Sequence, residues 1–65
     1  MQTFYFLGFV LLRNGSLHTL PLTIQATDMI HAEAAAMQQC EDEARIKYGK
    51  RVMMVTVQQA VFVGE

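Results

Sequence analysis

Apolar positions along the chain fall into three stretches separated by polar or glycine-bearing breaks. The first, Thr3 to Arg13, reads T-F-Y-F-L-G-F-V-L-L-R. Side chains alternate across a strand, so Tyr5, Leu7, Phe9 and Leu11 share one face and Phe4, Phe6, Val10 and Leu12 the other. Both faces are apolar, and one helix can cover only one of them. What covers the second is the question on which function turns.

Asn14-Gly15 follows, a dipeptide that favours the two-residue type I′ hairpin because both central residues of that turn need positive φ. A two-residue loop sets Arg13 opposite Ser16 and aligns Leu11 with His18, Phe9 with Leu20, Leu7 with Leu22 and Tyr5 with Ile24. The last four pairs form the predicted core face, with His18 at its rim. The reverse face, Phe4, Phe6, Val10 and Leu12 with Leu17 of the second strand, is then the predicted exposed interface. Pro21 has no N–H to give, which places it where no donor is needed, on a free outer edge. The third strand must therefore pair with the first, in the order 2-1-3.

Ala26-Thr27-Asp28 opens a helix, with Thr27 or Asp28 as the N-cap. It runs to about Tyr48, where Gly49 stops it and Arg45, Lys47, Lys50 and Arg51 complement the negative end of its dipole. At about 100° per residue, Met29, Ala36, Met37, Cys40 and Ala44 share the apolar stripe, flanked by Ala32 on one side and by Ile30 and Tyr48 on the other. Glu33 falls within this stripe, where a carboxylate is expected to bend outward from the rim. Val52 to Val63, uncharged and rich in β-branched residues, is the third strand. The reading is one α+β domain over residues 1–65, a ββαβ chain with a three-stranded antiparallel sheet and one helix on one face.

Composition bears on this picture through stability. A chain of 65 residues buries only about 60% of the surface its unfolded form exposes, so small domains need a staple. Cys40 is the single cysteine, which excludes an internal disulfide, and no Cys/His cluster has zinc-site spacing. Self-association remains. The chain is 52% hydrophobic and 17% charged, against about 25% charged in ordinary domains. A homodimer is therefore expected, by packing two sheet backs, which hides more apolar surface, in preference to pairing two third strands edge to edge.

A net charge of −1 argues against nucleic acid or an anionic membrane as main partner. The apolar run 4–12 is far shorter than the roughly 20 residues of a spanning helix and has no basic segment before it, so it reads as a strand and not as a leader or anchor. With one unpaired cysteine, a cytoplasmic setting is expected.

The candidate chemistry is sparse. His18, His31 and Cys40 do not converge, since the cysteine is expected inside and both histidines outside, so neither a metal nor a cofactor is expected and no catalytic site is assigned. Glu41-Asp42-Glu43 point about 100° apart on a helix and cannot share one ion. The expected function is a non-enzymatic protein–protein interaction module that binds another macromolecule and inhibits it by occupying its surface. In style this is similar to the accessory proteins of phages and mobile elements. The alternative is a small sheet protein for single-stranded RNA or DNA, using Phe4 and Phe6 with Arg13, Lys50 and Arg51.

Overall fold

The computed structural model describes residues 1–60. Strand β1 is Gln2–Leu12, β2 is Leu17–Ala26, helix α1 is Met29–Tyr48, a 3₁₀ turn occupies Gly49–Arg51, and β3 is Val52–Gln59. The sheet order is β2-β1-β3 with both pairings antiparallel. This is the ββαβ α+β fold that the hydrophobic pattern predicts. Positions 61 to 63 of the expected third strand lie outside the described residues.

The hairpin closes one residue differently from the type I′ expectation. Gly15 N–H donates to the Leu12 carbonyl, and Leu12 N–H donates to the Ser16 carbonyl, each at 2.9 Å. The loop is therefore Arg13-Asn14-Gly15, a type I turn followed by a glycine in the left-handed region at φ 91. Asn14 stays out of positive φ and instead accepts the Ser16 N–H on Oδ1 at 2.9 Å. A three-residue loop moves the register by one, and a one-residue slip turns a strand's faces over. Phe4 now lies opposite Ile24, Phe6 opposite Leu22, Gly8 opposite Leu20 and Val10 opposite His18.

The core therefore combines Phe6, Val10 and Leu12 of β1 with Leu22, Ile24 and Ala26 of β2, and Phe4 and Leu20 pack against its margin. The predicted assignment of Leu20, Leu22 and Ile24 to the core face holds, but that of Tyr5, Leu7, Phe9 and Leu11 does not. The helix supplies the physical reason. Its buried residues are Ala32, Ala36, Cys40 and Ala44, small side chains at every fourth position, so the helix axis must lie close to the sheet. Only the even face of β1 has a gap for that approach. A Cβ added at Gly8 would sit 2.5 Å from the Cys40 Sγ, so the thiol fills the space that glycine leaves. Turning this face inward also leaves the Tyr5 side chain partly in water, where its hydroxyl costs nothing to hydrate.

Helix α1 begins and ends where its signals place it. Asp28 is the N-cap, and its carboxylate accepts both the His31 backbone N–H at 2.9 Å and a contact from His31 Nδ1 at 2.8 Å. These bonds, the backbone one foremost, hold the Asp28 carboxyl below the usual carboxylate range. Gly49, at φ 60, ends the helix by donating its N–H to the Arg45 carbonyl. Glu33 is exposed, as expected of a carboxylate at the rim. The predicted flank residue Ile30 is instead 79% exposed, because the alanine stripe is narrow and excludes residues two positions from its centre line.

Pro21 retains its predicted role in the new register. The pair Leu12–Ser16 is hydrogen-bonded, so alternation makes Leu7–Pro21 a non-hydrogen-bonded pair whose β2 nitrogen points away from β1. The outer edge of β2 thus lacks a donor at its middle.

Candidate sheet-face interface

The expected interface set does not stay together. Phe6, Val10 and Leu12 are buried beneath the helix, Phe6 to 2% exposure, and Phe4 is half-buried beside them. Leu17 is 61% exposed and lies opposite Leu11 on the other face. The register is the cause, because the same slip that buries the even residues of β1 delivers the odd ones to the uncovered side.

That side is as apolar along its middle as the expected one. Leu11 lies between Leu17 and Met54, Phe9 between Thr19 and Thr56, and Leu7 between Pro21 and Gln58, with Tyr5 beside Thr23. Leu7, Phe9 and Leu11 are half-buried by their own strand neighbours, while Tyr5, Leu17 and Met54 are open. The result is an apolar stripe on the central strand bordered by threonine and glutamine, the layout of an apolar interface core with a polar rim. From Tyr5 to Leu11 it is about 20 Å long, and the three strand axes span about 10 Å. No described element covers it.

The cations proposed for nucleic acid are brought together, but by structural bonds. Arg13 N–H donates to the Arg51 carbonyl at 2.8 Å, and Arg13 Nε donates to the Lys50 carbonyl at 3.0 Å. Arg51 Nε donates to the Tyr48 carbonyl at 3.3 Å. Lys47 Nζ and Arg51 Cζ lie 5.7 and 5.8 Å from the centroid of the Tyr48 ring. These contacts pin the hairpin turn to the end of the helix. The aromatics assigned to the same reading, Phe4 and Phe6, face the helix, so the expected stacking platform is absent. On the helix, Gln38 donates to Asp42 at 3.0 Å and Gln39 to Glu43 at 3.1 Å, one-turn pairs that keep these acids on a solvated face.

An open groove of about 420 Å³ runs between the outer edge of β2 and the second half of α1, lined by His18, Leu20, Ala44, Ile46, Lys47 and Tyr48 among others. The His18 and Tyr48 rings stack with centroids 4.9 Å apart, which is packing across the groove floor and not an oriented acid–base pair. The signal that could have revealed the groove is Ile46, an isoleucine on the polar side of the helix that is 85% exposed. Cys40 is buried, and desolvation, reinforced by Glu43 and Glu41, pushes its thiol up, away from the reactive thiolate. Among the described residues, no three His, Cys, Asp or Glu side chains cluster as a metal site would need.

Comparison with protein-family models, with curated proteins and with solved structures finds no match. The functional reading therefore rests on the chain's own geometry. No described helix is long and apolar enough to cross a membrane.

Proposed function

We propose that the protein is a small non-enzymatic interaction module that binds another protein through the uncovered face of its sheet and inhibits that partner by occupying its surface. The observation that carries this reading is the stripe Tyr5, Leu7, Phe9 and Leu11 with Leu17 and Met54, continuous on the central strand and ringed by uncharged polar groups. Contiguous apolar surface of this kind on a small domain marks an interaction site, whereas single exposed apolar residues carry no such meaning. A net charge of −1 fits recognition by shape and apolar contact more than by a long-range field, and an intracellular protein partner accords with the single unpaired cysteine.

The test uses two baits, the wild-type chain and Phe9→Glu, after both are shown to fold by circular dichroism. Residue 9 lies on the uncovered face, so a carboxylate there stays hydrated in the free protein and is stranded in an apolar interface. A protein retained in stoichiometric amount by wild type and lost on Phe9→Glu is the expected result. Identical retention by both baits would refute the assignment. Single-stranded nucleic acid remains the second reading because Tyr5 and Phe9 lie on the open face, with Arg13 about 13 Å along the strand from Phe9. Low-micromolar, steeply salt-dependent binding of an oligonucleotide, lost on Phe9→Ala, would favour it over a protein partner.

A further inference from the structure

We propose that β3 pairs edge to edge with β3 of a second copy, joining two three-stranded sheets into one of six strands. The two edges of the monomer differ chemically. On β2, Pro21 interrupts the row of outward donors. On β3, Ala60 N–H donates inward to the Tyr5 carbonyl at 2.8 Å, so alternation turns the N–H and C=O groups of Val55, Val57 and Gln59 outward. No described strand pairs with them. Val52–Gln59 also contains no lysine, proline or charged residue, the devices by which edge strands avoid unwanted partners. Its single irregularity is the register shift opposite Leu11 and Leu12, at the start of the strand and clear of these three residues.

A second copy fits this edge. An antiparallel pair related by a two-fold axis near Val57 sets Val57 against its copy and Val55 against Gln59, exchanging about six hydrogen bonds between uncharged residues. Both helices then lie on the same side of the joined sheet. Helix α1 packs against all three of its own strands, so two such helices stand about 14 Å apart, three strand spacings, beyond the 8–10 Å of direct helix contact. The two uncovered faces become one. At about 20 Å by 10 Å each face alone offers an apolar stripe of about 200 Å², well short of the roughly 800 Å² per partner of a standard interface, and edge pairing doubles the apolar area that one partner can meet. Because Pro21 blocks the other edge, assembly closes at two copies and does not run on into a fibre.

The experiment combines sedimentation with amide hydrogen exchange on the full chain. The expected mass is near twice 7.3 kDa at micromolar concentration, with slow exchange at Val55, Val57 and Gln59 that becomes fast on dilution to monomer. Val57→Pro removes one outward donor at an edge position and should return the mass to that of one chain; if this variant fails to fold, exchange in the wild type decides alone. Phe9→Glu should stay dimeric, which separates this inference from the face-binding reading, since either can fail while the other stands. A monomer at all concentrations, a dimer with fast exchange at these three amides, or a dimer broken by Phe9→Glu and not by Val57→Pro would overturn the proposal.

Discussion

Phe6→Ala should leave the chain largely unfolded at room temperature, whereas Phe9→Ala, three positions along the same strand, should leave it folded. Phe6 is 2% exposed and packs in the core cluster. Truncating a buried phenylalanine costs about 3–5 kcal/mol in lost transfer energy and cavity. A domain of this size has rarely more than about 3–5 kcal/mol to lose, so the deletion consumes most or all of its stability. Phe9 lies on the uncovered face, where its ring leans on strand neighbours, and its loss should cost about 1 kcal/mol, the span of strand preferences. Urea melts followed by circular dichroism measure both. The reverse order, an unfolded Phe9→Ala and an intact Phe6→Ala, would restore the two-residue loop and the other register.

The second large effect belongs to the contact between Gly8 and Cys40. Gly8→Ala should destabilise by about 1–3 kcal/mol, the range for overpacking a filled core, because its new Cβ would meet the buried Cys40 Sγ at 2.5 Å. The second nearest obstacle is the Leu20 carbonyl oxygen at 3.4 Å, an ordinary contact distance. Removing the sulfur should therefore relieve the clash. Cys40→Ala alone opens a small void and destabilises mildly, yet Gly8→Ala with Cys40→Ala should be more stable than either change predicts by addition. A double-mutant cycle in urea measures this coupling, and strict additivity would show that helix and sheet do not meet at these two residues.

These two sites also show where the sequence was legible. The strand order followed from a single atom, the missing proline N–H, and the helix ends from Asp28 and Gly49, because each is a local rule that distant packing does not override. The face of β1 was not legible. Its two sides are equally apolar, so hydrophobic alternation could not choose between them, and the choice fell to the turn. Asn14-Gly15 serves both a two-residue type I′ loop and a three-residue loop in which the glycine alone takes positive φ. The deciding signal lay elsewhere, in Ala32, Ala36, Cys40 and Ala44, whose four-residue spacing demands a close helix and hence the strand face bearing Gly8. Matching those two features would have put Phe6, Val10 and Leu12 inside and corrected the interface residues. The premise behind that interface, an apolar strand face left without a cover, survives the exchange of faces.

If Leu7 and its neighbours form an open face on which a protein partner docks, a thiol placed there is reactive in the free protein and shielded in the complex. With Cys40→Ala removing the native thiol, Leu7→Cys places a single cysteine in the middle of the stripe. Rapid labelling is expected in the free protein, including the edge-paired dimer, with strong protection once the captured partner is bound. Slow labelling in the free protein, or labelling that the partner leaves unchanged, would rule out a docking face there.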